Sequence, residues 1–142
     1  MDVQPLITPL YAALAALMLV ALSIRVIRLR RHKKMPLHPG EDSELLRAIR
    51  AHGNFIEYIP LSLLLLLLVE LNGAPRFAIW ALGAMLLSGR LLHVLSLTRW
   101  EQPGDPRSYR GRIAAMMLTF SVLTITACYA IYQFYFGAVF RP

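Results

Sequence analysis

Four long apolar runs separated by three polar breaks set the plan of the chain. The first runs from about Leu6 to Ile27, with no charge before Arg25. Pro5 or Pro9 can open its helix, since a proline in the first turn gives up no needed donor. Ala12, Ala13, Ala15, Ala16 and Ala21 offer close helix packing. The second runs from Ser43 to Leu71, with Asp42 or Ser43 as N-cap and Glu44 in the first turn. Its 29 residues would span about 43 Å at 1.5 Å each, against a hydrocarbon core of about 30 Å. Its first turns therefore belong to the headgroup zone. The third runs from about Pro75 to Leu97, and a polar loop follows from Thr98 to Tyr109. The fourth starts at Arg107 or Ser108 and ends in an aromatic cluster at Phe136, as a membrane-interface belt does. The pattern predicts an all-α protein: one integral membrane four-helix bundle occupying residues 1–142 as a single domain.

One face of the second run breaks the apolar pattern. On a helix of 100° per residue, Arg47, Arg50, Asn54 and Glu57 fall within roughly 80° of one another. Leu61, Ser62 and six leucines follow directly. Polar groups at that depth are costly unless they face protein, water or a ligand. Pro60, just beyond the strip, removes one helical hydrogen bond and is expected to kink the helix.

Composition supports the membrane class: 57% of the 142 residues are hydrophobic and 16% charged. The net charge of +7 raises nucleic acid as a partner, but no groove-reading motif or basic-aromatic array accompanies it. Contact with anionic headgroups and topology account for it better. Residues 25–50 hold eight Lys and Arg, and residues 99–112 hold four. The turn between runs two and three contributes Arg76 alone, and the tail Arg141 alone. Both basic loops are therefore expected in the cytoplasm and both termini in the periplasm. The N-terminus lacks the basic start and small-residue cleavage site of a secretory signal, so the first run is read as a retained span. The lone Cys128 excludes an intrachain disulfide framework, and no cluster of His and carboxylates has metal-ligand spacing.

The polar strip, Arg90, His93 and Arg110 all gather at the cytoplasmic end, which argues for one shared site. Each residue has a plainer alternative. Glu57 either orients a ligand or forms a buried salt bridge to Arg50 or Arg90. Arg50 and Asn54, one turn apart, together offer a fork for a carboxylate and an amide. Arg50 could instead snorkel to headgroups, and Asn54 could join helices. Arg90 could likewise snorkel, and His93 could be a satisfied core histidine. His52 points about 160° from the strip and is left out. The basic start of run four, Arg110-Gly111-Arg112, fits topology alone, or an arginine that stabilises a thiolate.

The segment Arg50-Ala51-x-x-Asn54-x-x-Glu57-Tyr58-x-Pro60 resembles the signature of the MAPEG family, membrane-associated proteins in eicosanoid and glutathione metabolism. Ala48-Ile49-Arg50-Ala51-His52-Gly53-Asn54 resembles its bacterial inner-membrane branch. The four-span layout and the place of Arg90 extend the likeness over nearly the whole chain. The resemblance implies a homotrimer of four-helix bundles in the bacterial inner membrane. It implies glutathione as cosubstrate, bound between neighbouring protomers near the cytoplasmic face. Arg28 (or Arg30), Arg50, Asn54, Glu57, Tyr58, Arg90 and His93 would then contact it, and Arg110, with Arg112 as the alternative, would activate its thiol. Gly53 and Leu97 stand where some members carry an arginine and a tyrosine.

The implied activity is a glutathione S-transferase or peroxidase acting on lipophilic small molecules that reach the site sideways from membrane lipid, between spans one and four. The family also holds a non-enzymatic lipid-binding member, so a non-catalytic lipid- or partner-binding protein is the second reading. A proton-coupled exporter using Glu57 is the third, and the neighbouring arginines, which would hold that carboxylate ionised, weigh against it.

Overall fold

A computed structural model of the chain describes residues 6–38, 40–100 and 106–137. Four α-helices make up the bundle: α1 (Thr8–Lys33), α2 (Ser43–Leu71), α3 (Arg76–Leu95) and α4 (Arg110–Gly137). A π-helical turn, Ser96–Trp100, continues α3, and a 3-10 turn, Pro106–Tyr109, leads into α4. All four helices are long and apolar enough to cross a membrane.

The boundaries follow from local chemistry. Pro9 sits in the first turn of α1, whereas Pro5 lies outside the described residues. The helix does not stop at Ile27. It runs on through Arg28, Arg30, Arg31 and Lys33, because Arg and Lys are good helix formers and cations suit a helix C-terminus. Lys34 ends it in the left-handed conformation, at φ 54°, with its N–H returned to the carbonyls of Arg30 and Arg31. Of the two N-cap candidates for α2, Asp42 is the one used, its carboxylate accepting from the Leu45 N–H at 2.7 Å. Helix α2 matches the expected span and continues through Pro60. The loop expected from Thr98 contains the π-turn instead. Within it, the Thr98 hydroxyl donates back to the Val94 carbonyl at 2.7 Å. Helix α4 begins two to three residues later than expected, after the 3-10 turn.

Helix α1 packs on α2 and α3, and α4 on α2 and α3, while α1 and α4 occupy opposite corners. Each buried stripe has helical spacing. On α2 it is Leu45, Ala48, Ala51, Phe55, Ile59, Ser62, Leu66 and Val69. Phe55, Ile59, Ala15, Leu22, Leu86 and Val122 join in one core cluster. Gly83 allows the closest approach: a Cβ there would lie 2.2 Å from the Tyr11 ring, whose hydroxyl donates to the Trp80 carbonyl at 2.8 Å. Outward positions such as Leu17, Val20, Leu64, Phe77 and Met117 remain apolar and exposed, as a lipid-facing surface requires.

Candidate functional site

The terminal end of the bundle is polar but closed. Glu70, at the end of α2, accepts from the backbone N–H groups of Ile7 and Thr8 and so caps α1. Those N–H groups would otherwise be orphaned at a helix start, where negative charge is favoured. Gln133 of α4 donates to the carbonyls of Val69 and Asn72 and serves the end of α2.

The loop end is open. A cavity of about 620 Å³ is lined by Leu46, Arg47, Arg50, Asn54, His93, Leu97, Tyr109, Arg112 and Met116. That volume lies in the range of small-molecule sites. Three arginines and a histidine form its walls, and none of its lining residues is acidic. Arg112 lies over the Tyr109 ring at 5.1 Å. Below the cavity, Arg90 is 1% exposed. Its Nη1 donates to Asn54 Oδ1 at 2.6 Å and its Nη2 to Thr119 Oγ1, while Tyr58 offers its ring face at 5.5 Å. These partners are neutral, so a permanent guanidinium charge sits beneath a basic cavity with no carboxylate bound to it. Such a site favours an anion.

The residues singled out from sequence therefore separate into groups. Arg50, Asn54, His93 and Arg112 meet at the cavity, and Arg90 and Tyr58 support it from below. Glu57 faces outward, exposed, and makes no hydrogen bond or ion pair among the described residues. The salt bridge to Arg50 or Arg90 thus does not form within the chain. Arg28 and Arg110 are also exposed and outside the cavity walls. Arg30 is occupied elsewhere: its Nη1 donates to the Leu37 carbonyl at 2.7 Å and to the Pro36 carbonyl at 3.1 Å, holding the α1–α2 loop. His52 pairs with Ser23 of α1 at 3.1 Å, a structural contact away from the site.

Sequence reasoning passed over Leu46, Tyr109, Met116 and Thr119. It placed Arg47 in the strip but not in the site. The 100° rule puts Arg47 only 20° from Asn54, so that signal was available. Thr119 sits in an apolar helix with no charge nearby in sequence, and nothing marked it.

The MAPEG family model matches residues 8–132. The chain belongs to the MAPEG family. It is 42% identical over 103 residues to the inner membrane protein YecN, found in two strains of Escherichia coli. The match covers 70% of this chain and 79% of YecN. This MAPEG chain thus carries the family's membrane-helix plan, with the basic cavity built at the loop end of the bundle.

Proposed function

We propose that the protein is a glutathione S-transferase or peroxidase that conjugates or reduces lipophilic electrophiles at the loop end of the bundle. The observation that carries this reading is the cavity with three arginines, a histidine and no acid in its walls. Glutathione brings two carboxylates and a thiol. Arginine forks match carboxylates bidentately, and a nearby cation lowers a thiol pKa toward the reactive thiolate. Arg50 and Asn54 would hold the tripeptide. Arg112 stands in the cavity wall and would stabilise the thiolate. Arg110, on the outer face, would serve only a ligand shared with another copy. In conjugation the thiolate sulfur forms a bond to an electrophilic carbon, and the leaving group departs with its electron pair. Cys128 takes no part.

The assembly we propose is a homotrimer. Exposed Glu57, Arg28 and Arg50 then acquire partners or ligand across the subunit boundary, which relieves the cost of bare charge on a membrane helix. Since α1 and α4 stand at opposite corners of one bundle, an apolar groove between them also needs a neighbouring copy. By the distribution of Lys and Arg, and by the likeness to an inner membrane protein, we place the chain in the bacterial inner membrane with both termini periplasmic.

Titration calorimetry of the detergent-purified protein with glutathione tests the binding step, with saturable heat expected for wild type. The absorbance of the bound thiolate against pH tests activation: Arg112→Ala should move that titration to higher pH, whereas a curve unchanged from wild type refutes the role. The second reading, a non-catalytic lipid or partner binder, gains from Leu97, an apolar residue in the cavity wall. Turnover with any electrophile rules it out.

A further inference from the structure

Asn54 lines the cavity, and one edge of its amide is already committed. Its oxygen accepts from Arg90 Nη1 at 2.6 Å. An arginine has donors and no acceptors, so the oxygen must be the edge facing it. The amino edge, Nδ2, has no protein partner among the described residues and is left for the cavity. Arg90 is in turn fixed from α4. The Thr119 hydroxyl gives its own proton to the Ala115 carbonyl at 3.1 Å, so its lone pairs are free to receive Arg90 Nη2. The backbone at Gly89 leaves the space for this contact: a Cβ there would come within 3.3 Å of Thr119 Oγ1.

We infer that Thr119 is a positioning residue which, through Arg90, fixes the Asn54 amide with its amino group toward the cavity, so that this wall receives a ligand acceptor and turns away a ligand donor. The chain of bonds runs α4 to α3 to α2, three helices tied by one side chain each. It gives the cavity floor a polarity that agrees with its arginines. The inference deepens the glutathione reading and rests on it: Asn54 meets a carboxylate or carbonyl oxygen of the tripeptide, and the α-amino group lies elsewhere.

Three variants of the full chain in detergent test this, with thermal unfolding and with glutathione binding as readouts. Thr119→Ser keeps the hydroxyl and should bind within about twofold of wild type. Thr119→Val keeps the shape, loses the acceptor, and should bind about tenfold more weakly. Asn54→Asp should unfold at a higher temperature, because the introduced carboxylate pairs the buried Arg90 charge. It should also bind glutathione at least about tenfold more weakly, because its second oxygen meets the ligand's acceptor. A gain in stability with a loss in binding is not what a merely structural amide would give. A folded Thr119→Val with wild-type affinity overturns the inference, as does Asn54→Asp with wild-type affinity. If Thr119→Val does not fold, Asn54→Asp decides. Glutarate, a simple dicarboxylate, separates the two levels. Wild type that ignores glutathione but is stabilised by glutarate, with that stabilisation lost in Asn54→Asp, refutes the glutathione reading and supports the acceptor-selecting wall. Wild type that responds to neither overturns both.

Discussion

The two ends of the bundle treat their polar groups in opposite ways. At the terminal end, Glu70 is spent on the first N–H groups of α1, and Gln133 on the last carbonyls of α2. Tyr11 fills the notch at Gly83 and bonds the Trp80 carbonyl. These bonds join helices to one another. At the loop end, Arg47, Arg50 and Arg112 stand around a cavity without a carboxylate among its lining residues, over the buried Arg90. At one end, a carboxylate and an amide side chain meet backbone groups of neighbouring helices. The other gathers three arginines and a histidine in the wall of a cavity that has no acidic residue in its lining. In a membrane protein such an imbalance is tolerated where it faces water or a ligand. On the proposed function, the difference separates the half that holds the bundle from the half that binds.

If that division is right, changes at the terminal end should lower stability and spare binding. The largest effect is expected from Gly83→Val. The new side chain meets the buried Tyr11 ring, and overpacking of this kind costs about 3 kcal/mol. The thermal midpoint in detergent should fall, with glutathione affinity of the folded fraction unchanged. Glu70→Ala comes next. It leaves the N–H groups of Ile7 and Thr8, both 3% exposed, without an acceptor, and should cost about 2 kcal/mol by the same measurement. A weakened affinity in either folded variant would break the comparison.

The loop end should behave the other way. Arg50→Ala removes an exposed guanidinium from the cavity wall and should weaken glutathione binding by about tenfold or more. Its thermal midpoint should stay near wild type, as surface substitutions usually leave it. A large loss of stability in Arg50→Ala would show that the cavity arginines hold the bundle after all.

The smallest effect concerns the loop joining α1 to α2. Lys33, bonded to Asp42 and Glu44, and then the Leu45 N–H hold the Asp42 carboxyl below its ordinary value of 3.8. A lowered carboxylate pKa stabilises the fold above the unfolded value, and the contribution is lost as pH falls through the folded one. The thermal midpoint of wild type should therefore carry a small added drop below pH 3.8 that is missing in Asp42→Asn. Equal profiles for the two would show that the ion pair does not matter to stability.

Much of this architecture is legible in the residues because a bilayer leaves few choices. A run such as Leu61 to Val69 has to be helical, since every backbone polar group in lipid must be satisfied within its own segment. The strip from Arg47 to Glu57 was legible for the same reason, as charge is rare in such a helix. The direction in which each charge points was less so. Arg50, Asn54 and Glu57 lie on one arc, yet the arc is 80° wide and the edge of the bundle passes through it. Asn54 is half-buried at the cavity, whereas Glu57 is exposed on the outer surface. Arg110 and Arg112 likewise differ by two residues, or about 200°. That turn puts Arg112 into the wall and Arg110 outside it.

By itself, then, the sequence determined four membrane helices, their order, and a polar strip at the basic end. These follow from hydropathy, helical period and the cost of charge in lipid, all of which are local. The tertiary structure decided which polar groups meet within the chain and which line the cavity. Glu70 finding the start of α1, and Arg90 finding both Asn54 and Thr119, are contacts between residues far apart in sequence. No local pattern records them, because each depends on the register in which one helix packs against the next.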